Sequence, residues 1–181
     1  MKLYDILAQL VGIAAMAFNI LSYQQKTRTR AIGFQLFGSA LFAVNYFLLG
    51  AVVGGILNLV GTVRAAVFLN REKFRADRIG WLIGFTVVYL LSYLLTFTVF
   101  GKPVTVFNLI VEFLPVVGMT ATTISFRLQD AGDIRKFGLI SSPSWLVYNI
   151  VNFSIGAICC EVLSLGSILI GMLRLDGKKK G

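Results

Sequence analysis

Long uncharged stretches of apolar residues dominate the chain and predict helices that cross a membrane. A transmembrane helix needs about 20 mostly apolar residues. Two of the uncharged stretches are too long for one helix, and we expect the chain to turn at Gly50 and near 152–156. Residues 104–126 form a further span, which Glu112 alone interrupts. The uncharged stretches are 6–25, 31–63, 79–101 and 137–160.

These stretches together predict seven transmembrane helices. The first has about 20 apolar residues and no A-x-A-like site before "QQKTRTR", so we expect a retained helix and no cleaved signal peptide. The predicted spans are roughly 3–24, 32–49, 51–69, 79–100, 104–126, 137–152 and 155–173.

Composition agrees with an all-α integral membrane protein. The chain of 181 residues is 57% hydrophobic, its mean hydropathy is +0.82, and 14% of its residues are charged, against about 25% in soluble domains. It contains no histidine, which excludes imidazole bases and most zinc sites. Cys159 and Cys160 are adjacent and cannot form an ordinary disulfide or a metal cage. We therefore expect no metal and no cofactor.

The basic residues alternate between the loops and predict the orientation of the protein. Fourteen Lys and Arg residues fall in the loops 26–30, 70–78 and 127–136 and in the C-terminal tail, against Lys2 and Lys102 on the other side. Cytoplasmic loops carry the excess of Lys and Arg, so we expect the N-terminus outside and the C-terminus in the cytoplasm. This topology explains the net charge of +9 without nucleic acid. The predicted location is the bacterial inner membrane, with the lipid bilayer as partner.

The chain also contains an internal repeat. An offset of 103 residues superimposes the two halves and pairs several identical residues. It divides the chain into a first three-helix repeat (1–72), a linker helix (73–102) and a second repeat with a basic tail (103–181). The two repeats must be parallel, because the linker helix restores the direction, and parallel repeats are a known transporter plan. The matched pairs are Ser22 with Ser125, Phe34 with Phe137, Leu36 with Leu139, Ser39 with Ser142, and Arg71 with Arg174.

Several motifs resemble known families. The segments "SYQQKTRTRAIGFQ", "NYFLLGAVVGGILNLVG" and "SPSWLVYN" resemble the SWEET and PQ-loop superfamily, although Tyr23 stands where that family has a proline. More narrowly, "YFLLGA", the following Asn58 and "VRAAVF" are similar to the YgjV-type bacterial inner membrane proteins. The resemblance implies a 3+1+3 helix plan with a cavity between the two repeats, and it implies no established activity.

The resemblance and the offset together predict a binding site. The offset pairs Asn58 with Glu161 and Phe42 with Trp145, and the SWEET-like plan implies that the first pair faces a central cavity. A carboxylate at a helix centre costs roughly 2.5–3.5 kcal/mol, which a wet cavity would reduce. We expect a small polar solute to contact Asn58, Glu161, Trp145, Phe42 and Tyr148. The offset also pairs Gln9 with Glu112, and these two are candidates for proton coupling.

Structural alternatives stay open for each of these residues. Glu161 could instead be hydrogen-bonded to Tyr148, Asn149 or Arg64, and Asn58 could serve helix packing. Arg64 lies about five residues from the end of its span, and we expect it to snorkel to the interface.

The predicted function is transport of a small polar solute, and the alternative is a membrane protein on the same fold that binds or regulates without transport. We expect no enzyme, because the chain has no G-x-S-x-G motif and no histidine-based metal motif. The sequence leaves open whether the protein forms a homo-oligomer.

Overall fold

The computed structural model describes residues 3–48, 52–151 and 155–177, and within them it contains only helices, turns and loops. A π-turn, Met172–Asp176, follows the last helix. The α-helices are α1 (Leu3–Ser22), α2 (Arg28–Leu48), α3 (Val52–Leu69), the short α4 (Arg71–Phe74), α5 (Ile79–Thr98), α6 (Val106–Arg127), α7 (Ala131–Val151) and α8 (Ile155–Gly171).

The helix ends follow local signals in the sequence. The side chain of Thr105 accepts a hydrogen bond from the backbone N–H of Asn108 and caps α6. Arg75 ends α4 with a left-handed conformation, at φ 49°. Gly101 adopts φ 64° in the loop before α6, where the missing Cβ removes the steric penalty. Between these ends the chain stays helical, because a helix satisfies its own backbone hydrogen bonds in an apolar environment.

Four helices are long and apolar enough to cross a membrane, and they are Arg28–Leu48, Ile79–Thr98, Val106–Arg127 and Gly156–Asp176. Leu7–Ser22 and Gly55–Leu69 are shorter apolar helices. Each predicted span overlaps one α-helix of the structure, although α7 begins six residues earlier than predicted, and the crossing of the membrane by all seven stays a prediction. Asp133, Arg135 and Lys136 lie in this early part of α7, and a search for uncharged spans misses it for that reason.

The helices pack as two groups of three. In one group α2 lies between α1 and α3, and in the other α7 lies between α6 and α8, while α5 packs on α6. Three further contacts join the groups, because α1 meets α8, α2 meets α7, and α3 meets α6.

The middle helices of the two groups begin at the offset found in the sequence. α7 begins at Ala131, 103 residues after α2 begins at Arg28. The contact of α1 with α8 is matched by that of α6 with α3, as a two-fold relation between the groups requires. Residues 103 apart are called equivalent below.

Helix α5 attaches through a stripe of aromatic residues spaced four apart, namely Trp81, Phe85, Tyr89 and Tyr93. The ring of Phe85 stacks on Trp81 at 6.0 Å and on Tyr89 at 6.4 Å. Phe68 from α3 and Phe126 from α6 complete this buried cluster. The spacing places all four aromatic residues on one side of α5, while many of its leucines and valines stay exposed.

Candidate functional site

A cavity of about 150 Å³ lies between the two helix groups. Its wall combines amides and hydroxyls with aromatic rings, and it includes one arginine and one glutamate among the described residues. The lining residues are Asn19, Tyr23, Gln35, Ser39, Phe42, Tyr46, Leu57, Asn58, Gly61, Arg64, Met119, Thr122, Ser141, Ser142, Trp145, Asn149, Ala157, Cys160, Glu161 and Ser164.

Helical spacing explains which side chains reach the cavity. Helix α7 contributes Ser142, Trp145 and Asn149, which follow each other at intervals of three and four residues. Such residues lie on one face of a helix. Helix α2 contributes Ser39, Phe42 and Tyr46 at the same intervals.

Most residues of the cavity wall occur as equivalent pairs, one from each helix group. Fourteen of the twenty described lining residues form such pairs, so the cavity lies between corresponding faces of the two groups. The pairs are Asn19 with Thr122, Ser39 with Ser142, Phe42 with Trp145, Tyr46 with Asn149, Leu57 with Cys160, Asn58 with Glu161, and Gly61 with Ser164.

The structure brings four of the predicted binding residues together. Asn58, Glu161, Phe42 and Trp145 all line the cavity. Their contact with a solute stays a prediction, while their shared location is a finding.

Tyr148 lies elsewhere. Its ring packs edge-on against Trp145, with 5.9 Å between the ring centroids, and it is absent from the described lining. Tyr148 therefore lies beside Trp145, three residues further along α7.

The two residues predicted for proton coupling also lie outside the described lining. Glu112 is buried in α6 and forms an ion pair with Lys102 from the preceding loop. Gln9, at the equivalent position in α1, is exposed. The two equivalent positions thus differ in environment.

Glu161 faces hydroxyl groups in the cavity. The Ser142 hydroxyl lies within hydrogen-bonding reach of the Glu161 carboxylate, and the same hydroxyl contacts the Tyr23 phenol. The described residues form three ion pairs within 4.0 Å, Lys102 with Glu112, Arg135 with Asp176, and Lys136 with Asp133. Glu161 is in none of them.

Arg64 is the main residue that sequence reasoning placed wrongly. Its side chain is 7% exposed and lines the cavity, so it does not snorkel. Nη1 donates to the Tyr89 hydroxyl at 3.3 Å and to the Met119 carbonyl at 3.2 Å. The guanidinium carbon lies 5.1 Å from the centre of the Phe126 ring. The available signal was its position, because Arg64 is the one Lys or Arg within a predicted span.

Arg28 and Arg135 connect helix ends at the side of the molecule that carries the basic loops. Nε of Arg28 donates to the Phe126 carbonyl at 3.0 Å, and its Nη2 donates to the Phe68 carbonyl at 3.0 Å. Arg28 thereby ties α2 to the ends of α3 and α6. We call this side the basic end.

Arg135 makes the second connection at the basic end. Its side chain is 2% exposed and forms a two-bond ion pair with Asp176. Its Nη1 also donates to the carbonyls of Tyr23, at 3.3 Å, and Gln25, at 3.0 Å. A Cβ on Gly171 would lie 2.6 Å from the Tyr23 carbonyl oxygen, so this close approach requires glycine. Arg135 thus links the two groups at the basic end.

Among the described residues, no group of three Cys, Asp or Glu side chains is arranged to hold a metal ion. Cys159 is exposed and Cys160 is buried, and both are free thiols.

Comparison with known families identifies the chain. The family model described as Imp-YgjV, bacterial inner membrane protein, matches residues 6–179. The chain belongs to this family. It is therefore a protein of the bacterial inner membrane, in agreement with its four helices long and apolar enough to span one. No curated protein and no solved structure matches the chain, and the resemblance of this Imp-YgjV member to the SWEET and PQ-loop superfamily stays a prediction.

Proposed function

We propose that the protein moves a small polar solute across the inner membrane through the cavity between α1–α3 and α6–α8. One observation carries the proposal, which is that equivalent faces of the two helix groups form a single polar and aromatic cavity. Transporters built from repeats bind their solute near the bilayer midplane at the interface between the repeats. The location of this cavity between the two helix groups supports the proposal.

The proposal includes the membrane arrangement. All the helices except the short α4 would cross the bilayer, with α1–α3 and α6–α8 as two parallel three-helix repeats joined by α5, in the SWEET-like 3+1+3 plan. The contacts of Arg28 and Arg135 gather the basic loops at one end, and the positive-inside rule assigns that end to the cytoplasm.

The contacts between the two groups at the basic end support alternating access. Arg28 and Arg135 link elements of the two groups there. A rocking motion of one group against the other would have to break these contacts to open the cavity toward the cytoplasm. The structure would then represent the form closed on its cytoplasmic side.

The size of the cavity limits the solute. A cavity of similar volume, 150 Å³, in another protein holds benzene, which has six non-hydrogen atoms. A solute of this order would fit the present cavity without expansion.

A non-transporting binding protein on the same fold is the alternative. The fully buried Arg135 favours it, because such a contact also suits a protein whose two groups do not move. Flux across a sealed membrane separates the two functions.

The test begins with a thermal-shift screen of purified protein in detergent against sugars, vitamins, nucleosides and amino acids. A ligand at 100 times its dissociation constant stabilises the folded state by about 2.7 kcal/mol. We expect a hit that weakens in Asn58→Ala and Glu161→Gln and persists in Lys136→Ala, a control at an exposed side chain outside the described lining. The hit is then assayed for uptake into proteoliposomes. Binding without uptake would overturn transport in favour of the alternative.

A further inference from the structure

We infer that the solute of this cavity is a small zwitterion, with its cationic group toward Glu161 and its anionic group toward Arg64. The inference rests on the proposed function, because it concerns the same cavity. It adds the chemical class of the solute.

The two charged residues of the described lining have opposite sign and come from opposite groups. Arg64 lies on α3 and Glu161 on α8. The residue equivalent to Glu161 is Asn58, which is six residues, or about 9 Å of helix rise, from Arg64. No ion pair within 4.0 Å joins Arg64 to Glu161, although both side chains are described. The cavity therefore presents two separate charges, which one solute of two charges can bridge.

Arg64 is a buried cation that lacks a carboxylate partner among the described residues. A guanidinium has five N–H donors, and the hydrogen bonds of Arg64 in the structure both come from Nη1. Its Nε is buried without a hydrogen-bond partner. A buried charge without a counter-charge is costly. An anionic group on the solute would supply the counter-charge.

Gly61 leaves room for such a group. It lies in the lining one turn before Arg64, and a Cβ placed on it would lie 4.0 Å from Nη2 of Arg64. A larger residue at this position would occupy the space in front of the guanidinium.

The opposite side of the cavity suits a cation. The Glu161 carboxylate provides the charge, and the rings of Phe42, Tyr46 and Trp145 share the wall with it. Aromatic faces attract ammonium groups, most strongly when the group is removed from water. A carboxylate beside aromatic rings is therefore a binding surface for an ammonium or a methylated ammonium.

A neutral solute fits this wall less well. A sugar would leave Arg64 without a counter-charge and Glu161 without a cation. Sites that contain buried polar groups reject analogues that leave those groups unpaired. The volume of about 150 Å³ restricts the zwitterion to small amino acids or compounds of similar size, such as glycine betaine.

The test uses four probes of nearly equal shape on the full-length protein in detergent. L-alanine carries both charges, L-alaninamide only the positive charge, L-lactate only the negative charge, and L-lactamide neither. L-proline and glycine betaine extend the zwitterion set. We expect the best-fitting zwitterion to bind at least tenfold more tightly than each probe that lacks one of its charges.

Variants assign each charge to its residue. Glu161→Gln should weaken zwitterion binding at least tenfold and leave lactate binding unchanged. Arg64→Lys keeps the cation but loses donors, and it should weaken zwitterion and lactate binding while sparing alaninamide. If Arg64→Lys fails to fold, the four-probe comparison on the unaltered protein still decides the question. Lys136→Ala, at a side chain that is 64% exposed and outside the described lining, is the control and should bind all probes as before.

Three results would contradict the inference that the solute is a zwitterion. They are equal binding of lactamide and alanine, zwitterion binding that is unchanged in Glu161→Gln, and failure of every zwitterion to bind. Uptake measurements distinguish failure of this inference from failure of the transport proposal. Uptake of a neutral solute into proteoliposomes would contradict the zwitterionic solute and support transport. Alanine that binds without uptake would support the zwitterionic solute and contradict transport.

Discussion

The two helix groups make the same close helix crossing with the glycine on opposite helices. In the first group Gly38 of α2 meets α1, where its added Cβ would lie 3.3 Å from the Ala15 carbonyl oxygen. In the second group Gly118 of α6 meets α7, where the Cβ would lie 3.3 Å from the Ser141 carbonyl oxygen. Ala15 is equivalent to Gly118, and Gly38 is equivalent to Ser141. Both groups thus share a short distance between two helices, and the glycine that permits it can belong to either helix.

The same comparison explains the chemistry of the cavity. Asn58 in the first group corresponds to Glu161 in the second, and Arg64 corresponds to Ser167. Equivalent backbone positions therefore hold different charges, so that each group contributes one charge that the other lacks. The cavity wall is formed by equivalent positions of the two groups, and the residues that differ between these positions give the wall its charges.

The largest expected effect comes from breaking the contact between the groups at the basic end. Arg135→Ala removes an ion pair with Asp176 and two hydrogen bonds to carbonyls of the first group. Removing one partner of a buried ion pair costs about 3–5 kcal/mol. We expect the free energy of unfolding in detergent to fall by that amount.

Lys136→Ala is the matched control for this variant. The Lys136 side chain is 64% exposed and pairs with Asp133 one turn earlier, so its loss should cost less than about 1 kcal/mol. Equal effects of the two substitutions would show that Arg135 does not hold the groups together.

A smaller effect is expected where equivalent positions differ in burial. Glu112→Gln removes the charge that Lys102 contacts, and hydrogen bonds to charged groups contribute about 1.5–3 kcal/mol. Gln9→Ala, at the exposed equivalent position, should change the free energy of unfolding by no more than about 0.5 kcal/mol.

Glu112→Gln also tests proton coupling. If Glu112 serves only the contact with Lys102, the uptake rate and its pH dependence should stay as in the unaltered protein once the variant is folded. If the variant retains uptake but its uptake rate no longer depends on pH, Glu112 takes part in proton coupling.

The smallest expected effect concerns the two crossings. Alanine at Gly118 would place a Cβ 2.9 Å from Nε1 of Trp145, and alanine at Gly38 would place one 2.8 Å from Oδ1 of Asn19. Overpacking costs about 1–3 kcal/mol of stability. We expect the two variants to lose similar amounts of stability, as measured by thermal unfolding. A loss at only one crossing would contradict their equivalence.

Gly166→Ala provides the control for the crossings. Nothing lies within 4 Å of a Cβ at Gly166, and alanine is favoured over glycine in a helix by up to about 1 kcal/mol. This variant should be as stable as the unaltered protein or more stable.

The sequence predicted the helices well because their length and apolar character are local properties. It also placed Asn58, Glu161, Phe42 and Trp145 on one cavity, since the offset of 103 residues transfers a position from one group to the other. The same offset could have found Tyr46 with Asn149 and Asn19 with Thr122, had it been applied to every polar residue.

The sequence predicted individual contacts less well, because they depend on how each helix is rotated and on what its neighbours supply. The inward turn of Arg64 depends on acceptors from α5 and α6, Tyr89 and the Met119 carbonyl. The ion pair of Glu112 depends on Lys102 in a loop. Tyr148 is not among the described lining residues, although Ser141, seven residues earlier on nearly the same side of α7, is one of them.

Tyr23 belongs both to the cavity and to the basic end. Its phenol lines the cavity near Ser142, while its carbonyl accepts a hydrogen bond from Arg135. Tyr23 therefore joins the cavity wall to a contact between the two helix groups within a single residue. A solute that displaced this ring would act on the backbone that Arg135 holds, without intervening side chains.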